Sequence, residues 1–226
     1  LNLGCPAKKV CSVAAGSALM ASPETVAEIF DAVIGAVDIP VTVKMRTGSD
    51  IDNRNALQIA QLAESKGLQA VTIHGRTRQD KFKGQAEFDT IRKVKQNIGI
   101  PVIANGDILT PEQAKFVLEY TSADGIMIGR ATQGYPWIFN EINHYLDTGK
   151  HLAPPPLEVF FQTMMEHTYG LHQLYGEVLG VRIARKHIGW YSQHLPEGTT
   201  LRRQFNQLTD PNEQLQLIKR YFADRV

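Results

Sequence analysis

Short apolar, β-branched runs alternate along this chain with longer stretches whose apolar positions recur every three or four residues. The runs Leu1–Leu3, Val41–Met45, Ala70–His74, Val102–Ala104 and Gly125–Ile128 predict strands. The stretches Pro23–Val37, Asn53–Lys66, Phe88–Asn97 and Pro111–Glu119 predict helices between them. Local punctuation agrees. Ser22 before Pro23-Glu24 and Thr110 before Pro111-Glu112 each offer an N-cap with proline at the first helical position. Gly67 after Lys66 supplies a residue that can end a helix in the left-handed conformation.

Nearly all-apolar strands separated by single helices imply a parallel sheet covered on both faces, as a doubly wound sheet or a (β/α)8 barrel. Polar residues decide between them. Each run ends in a chemical group: Gly4-Cys5-Pro6, Lys44-Met45-Arg46, His74-Gly75-Arg76, Asn105-Gly106-Asp107 and Gly129-Arg130. A barrel gathers functional groups at the C-terminal end of every strand, whereas a doubly wound sheet concentrates them at one switch point. Five β/α units are visible where a barrel has eight, so the expectation is the last five units of a TIM barrel. The missing units would precede Leu1, which itself reads as lying within a strand, and the chain is expected to be a fragment.

The alternation stops at Ala153-Pro154-Pro155-Pro156. Beyond it, Leu157–Leu174, Leu179–Gln193, Leu201–Leu208 and Pro211–Ala223 all read as helix, which places a boundary near residue 150. Residues 1–150 would form the barrel segment and residues 151–226 an all-helical domain.

The 226 residues are 43% hydrophobic and 21% charged, an ordinary globular balance, with a formal net charge of +1. Global charge therefore says nothing about a polyanion, but its distribution does. From Arg182 onward the bases are Arg182, Arg185, Lys186, Arg202, Arg203, Lys219, Arg220 and Arg225, against Glu197, Asp210, Glu213 and Asp224. A locally basic end suggests a polyanion footprint on one face. No apolar run approaches the ~20 residues that a membrane-spanning helix needs. No secretory leader is recognisable, and two cysteines, Cys5 and Cys11, fit a reduced compartment better than a disulfide framework.

Several candidate groups follow. Asn105-Gly106-Asp107 and Gly129-Arg130 end consecutive strands where barrels often bind phosphate through backbone N–H groups, against the plainer reading of strand-end turns. Lys44 and His74 could contact an electron-rich ring or its substrate, or could be a structural ion pair and a packing histidine. Cys5, beside a glycine and followed by Lys8-Lys9, could be nucleophile, metal ligand, general acid or a small buried hydrophobe. A metal is disfavoured because no Cys/His cluster has ligand spacing. In the tail, Arg182, Arg185 and Lys186 share a helical face, with His187 and Trp190-Tyr191 largely elsewhere. That face is either a phosphate-backbone contact or a solvated surface.

Taken together, Asn2-Leu3-Gly4-Cys5-Pro6-Ala7-Lys8-Lys9-Val10, Val43-Lys44-Met45-Arg46-Thr47-Gly48, Ile73-His74-Gly75-Arg76-Thr77, Ile103-Ala104-Asn105-Gly106-Asp107-Ile108 and Met127-Ile128-Gly129-Arg130-Ala131 resemble the tRNA-dihydrouridine synthases. The tail Arg182–Tyr191 is similar to their bacterial B-type branch. The resemblance implies an FMN-dependent cytoplasmic enzyme, a monomer when full length, that uses NADPH to reduce a D-loop uridine of tRNA, with neither metal nor membrane. By motif, Lys44 and His74 would contact flavin, and Asn105, Gly106, Asp107, Gly129 and Arg130 would hold its phosphate. Asn2 and Arg76 would lie at the substrate, Arg182, Arg185 and Lys186 would grip tRNA, and Cys5 would be the proton donor. Two departures stand out. Cys11 occupies a position where the family often has Asn, and the strands that supply a Pro-Met-Ala-type turn and a Gln to the flavin are absent. An open five-strand segment is expected to bind FMN weakly or not at all, and to aggregate. The alternatives are a small-molecule flavin barrel of the dihydroorotate dehydrogenase type, which would not need a basic helical domain, and an inactive RNA-binding remnant.

Overall fold

The computed structural model describes residues 1–223, 225 and 226; Asp224, counted among the acids above, lies outside the described residues. Contacts group the chain into two compact units, Leu1–Gly129 and Arg130–Val226.

The first unit contains β1 (Asn2–Leu3), α1 (Lys8–Cys11), α2 (Pro23–Ile34), β2 (Thr42–Arg46), α3 (Ala56–Ser65), β3 (Ala70–His74), α4 (Asp89–Lys95), β4 (Val102–Asn105), α5 (Pro111–Thr121) and β5 (Gly125–Met127). All pairings are parallel, in the order β1-β2-β3-β4-β5. Strand order that follows chain order without reversal is that of a (β/α)8 barrel wall; a doubly wound sheet reverses at its switch point. These are five consecutive units of a TIM-barrel fold, followed by an all-helical region.

Successive residues of a strand face opposite sides, and register partners share a side. One side carries Leu3, Val43, Met45, Val71, Ile73, Val102 and Ala104, all at most 2% exposed. The helices supply Phe30, Ile59, Ile91 and Val117 to the same buried core. The other side is polar and uneven. It presents one register row of Asn2, Lys44, Thr72, Ile103 and Gly125, and a second of Arg46, His74, Asn105 and Met127. The strands are thus apolar on one face and mixed on the other, where Arg46, Thr72 and His74 are buried and Ile103 and Met127 share the rows. β2 makes this plain, since Val43 and Met45 are buried while Thr42 is exposed and Lys44 half-buried.

The helix signals behave as their chemistry requires. Thr110 accepts a hydrogen bond from Gln113 N–H, as an N-cap does. Ser22 occupies the cap position of α2, but its side chain makes no capping bond. Gly67, at φ +88°, follows α3, with Gly67 N–H on Glu64 O and Leu68 N–H on Ala63 O, the paired bonds of a Schellman ending.

The second unit contains α6 (Ile138–Thr148), α7 (Leu157–Tyr191), α8 (Gly198–Phe205) and α9 (Pro211–Phe222). The amphipathic periodicity does not indicate α6, which buries only Ile138 and Ile142. α7 is two helical limbs separated at Gly176, whose φ of 73° and ψ of 175° no helix can contain. The limbs double back on each other so tightly that a Cβ on Gly180 would lie 2.8 Å from Leu171 O. Phe160, Met164, Ile188, Leu201, Phe205, Ile218 and Phe222 form the core of this unit. Tyr135 and Trp137 pack against that core, so residues ahead of the proline cluster associate with the helices. Among the described residues no helix is long and apolar enough to cross a membrane.

Candidate active site and nucleic-acid interface

The strand-end rows bring Lys44, His74 and Asn105 onto neighbouring strands, with Asn2 beside Lys44. Lys44 is half-buried, and among the described residues its ammonium has no hydrogen-bond or ion-pair partner. Burial, and then the charge of Arg46, lower its pKa. His74 is 9% exposed. Burial first, then the charges of Arg46, Lys44 and Arg76, push its pKa down to about 3, so it is neutral at neutral pH. Arg76 Nη1 lies 3.4 Å from His74 Nε2. A guanidinium can only donate, so Nε2 is the acceptor there and Nδ1 carries the proton.

Arg76 is 2% exposed and is committed inside the protein. Its two terminal nitrogens bind Asp107 at 2.9 and 2.5 Å, and it also donates to Lys83 O and Gly84 O. Asp107 further accepts from Ala86 N–H at 2.9 Å. The Asp107 carboxylate therefore faces Arg76 and the 83–86 loop, and what remains for an anion at this strand end is backbone. Gly106 is required there: at φ +131°, a Cβ would sit 2.7 Å from Ala86 Cβ and 3.2 Å from His74 Cδ2. Asn105 Nδ2 donates to Met127 O at 2.7 Å and ties β4 to β5. A Cβ on Gly129 would meet nothing within 4 Å, so a side chain would have room there. Arg130 begins the next unit, in a short 3-10 turn.

Cys5 is half-buried and free. Its carbonyl accepts from Ser17 N–H at 3.0 Å, from Ser17 Oγ at 2.8 Å and from Cys11 Sγ at 3.5 Å. Cys11 thus braces the turn that holds Cys5. Lys8 and Lys9, whose charges the sequence places near the thiol, are exposed on α1. The cation built into this turn is Arg46, which pattern reading left out of the site. It is 1% exposed and donates to Gly4 O at 2.8 Å, Thr77 O at 2.7 Å and Lys81 O at 2.8 Å. Its one local signal is a charged residue closing an apolar strand.

In the helical unit, Arg182, Arg185, Lys186, Gln193, Arg202 and Asn206 line a groove of about 500 Å³ with Gly189 and Trp190. None of these lining residues is acidic. Arg185 also donates to Leu208 O at 2.8 Å, so it helps build the groove as well as line it. Arg203 is exposed and does not line it. Trp190, assigned elsewhere from spacing, lies within the groove: four residues beyond Lys186 is only about 40° round a helix. No group of three or more His, Cys, Asp or Glu that could hold a metal occurs among the described residues.

The His74 shift has a testable sign. Its ordinary value is 6.5 and its folded value about 3. Between these the unfolded chain takes up a proton that the folded chain refuses, so stability falls as pH drops below about 6.5. Urea midpoints at pH 7 and pH 5 should fall further for the native chain than for His74→Gln. Equal falls would show that His74 is not held neutral.

A family model described as dihydrouridine synthase matches residues 1–226. The tRNA-dihydrouridine synthase B of Pseudomonas aeruginosa is 55% identical over 225 residues, covering 100% of this chain and 68% of that protein. The protein of the same name from Proteus vulgaris is 56% identical over 99% of this chain and 69% of its own length. That from Yersinia pestis is 54% identical over 99% and 70%. The chain thus spans about two thirds of the length of these relatives. A solved N-acetylmannosamine-6-phosphate 2-epimerase from Clostridium perfringens aligns at a TM-score of 0.35 and 21% identity over 55% of this chain and 49% of that one, too weak to bear on function. The ordered strand-end groups and the match along the whole chain agree: the chain belongs to the dihydrouridine synthase family.

Proposed function

We propose that this chain takes part in the NADPH-dependent reduction of a tRNA uridine to 5,6-dihydrouridine, with FMN as its flavin and Cys5 as the proton donor. Members of the family are flavin-dependent oxidoreductases. The observation that carries the reading is Lys44, a half-buried ammonium with no partner among the described residues, one strand away from a neutral His74. A cation left unpaired at a strand end suits an electron-rich ring, and the Nδ1–H of His74 adds a neutral donor. The glycine cradle at Gly106 suits a phosphate approached by backbone N–H groups. Asn105, Gly106, Asp107, Gly129 and Arg130 would hold it.

FMN, when bound, supplies the hydride that reaches C6 of the uracil. The Sγ–H of Cys5 delivers the proton to C5, and Asn2, in register with Lys44, lies where it can orient the base. Arg76 keeps Asp107 and the 83–86 loop in place beside the ring site. A uridine inside folded RNA must be splayed out to reach such a site. Residues 151–226 act as the tRNA-binding domain, with Arg182, Arg185 and Lys186 taking phosphates without reading sequence.

In a protein that carries these residues within a complete barrel, FMN, NADPH and an unmodified tRNA transcript should give two added hydrogens per reduced uridine, read by mass spectrometry of nuclease digests. Lys44→Met should weaken FMN binding by about 10–100-fold, the loss of one charge-assisted hydrogen bond, measured by quenching of flavin fluorescence. Unchanged FMN affinity in Lys44→Met would remove Lys44 from the flavin site.

A further inference from the structure

Beside the basic groove lies a second hollow of a different character. It measures about 740 Å³ and is lined by Thr163, Glu166, His167, His187, Trp190 and Tyr191 with the 132–136 turn. Its rings form a connected wall. His187 meets Trp190 edge-on at 5.1 Å and His167 at 4.5 Å, and His167 Nδ1 lies 3.1 Å from the Tyr191 hydroxyl. Burial lowers the pKa of both imidazoles, and for His187 the neighbouring His167 and Lys186 lower it further. The hollow offers an anion no cation and places Glu166 against it, whereas flat rings and neutral hydrogen-bonding edges suit a heterocycle.

Among the described residues, Trp190 alone lines both hollows. On the groove side the Lys186 ammonium lies 4.9 Å from its ring centre. A cationic groove and an aromatic hollow without a cation, sharing one indole, match the two halves of a nucleotide.

We propose that the two hollows form one site for a single unstacked nucleotide of the RNA substrate. Its phosphate lies on Arg182, Lys186 and Arg202, and its base lies in the hollow against Trp190 and His187. This rests on the tRNA reading above and adds a base-holding site to the phosphate contacts. The nucleotide held here is additional to the uridine that is reduced, because no strand-end residue contributes to this site. Stacking on a ring tolerates any base, so the site holds the strand without selecting its sequence.

The chain has two tryptophans, so Trp137→Phe leaves Trp190 as the sole indole reporter. In that background an oligouridylate should quench the emission, and an abasic oligomer of equal charge should bind the groove without quenching. Thr163→Phe, which fills the hollow and removes none of its rings, should abolish quenching. It should also weaken oligouridylate binding roughly tenfold, the loss of one stacked base, and leave the abasic affinity unchanged. His187→Ala should act the same way if the filled variant folds poorly by circular dichroism. Equal quenching by the abasic oligomer would overturn the proposal, as would unchanged oligouridylate affinity in both variants, or equal quenching by NADP⁺. A tRNA gel shift run alongside separates the two failures. No tRNA binding by the native chain sinks the tRNA reading and the pocket together; native tRNA binding that both variants leave unchanged sinks the pocket alone.

Discussion

Cys5→Ala should slow dihydrouridine formation by about 10²–10⁴-fold, the usual worth of a positioned general acid, while NADPH oxidation through the flavin continues. The side chain is half-buried, and three hydrogen bonds to its own carbonyl fix the turn, so removing the thiol leaves the peptide in place. The dihydrouridine content of tRNA, in cells whose only enzyme of this kind carries the substitution, reads the effect directly. Content equal to that with intact Cys5 at every tRNA site would take the thiol out of the mechanism. Loss of NADPH oxidation as well would show that the variant disturbs flavin binding instead.

Asp107→Asn should destabilise the fold by about 3 kcal/mol, the low end for a broken buried pair because Asp107 is partly exposed. Arg76 is 2% exposed, so the substitution leaves a guanidinium enclosed without its anion. The 83–86 loop also loses the carboxylate that Ala86 N–H binds. Urea denaturation gives the number, and Arg76→Leu combined with Asp107→Leu should recover part of the loss, since removing both charges removes the enclosed one. A change under about 1 kcal/mol for Asp107→Asn would mean that solvent reaches Arg76 and replaces the pair.

The strands were legible because each apolar run is short and ends in glycine, proline or charge, and β3 is found where the pattern places it, at Ala70–His74. The bonding around Gly67 was legible for the same local reason. What escaped the pattern depends on distant partners. Asp107 reads as part of a phosphate turn, but its carboxylate answers to Arg76, 31 residues earlier. Trp190 reads as off the basic face until α8 brings Arg202 and Asn206 across to complete the groove. α6 lacked a long apolar stripe because only two of its residues are buried. The polar inner rows of the sheet were hidden for a further reason. A single Lys or Thr between two apolar residues looks like a blemish in a buried strand, although here it marks a second face.

Arg46 behaves as a bound metal ion would. It is an enclosed positive centre ligated by three backbone oxygens from Gly4, Thr77 and Lys81, with no carboxylate among them. Those oxygens belong to the peptide just before Cys5 and to the loop after β3, so one guanidinium clamps both. The loop cannot swing away without either stranding that charge or dragging the peptide before Cys5 along with it. Opening of the 77–81 loop and displacement of the thiol are therefore geared to each other, like two arms on one pivot.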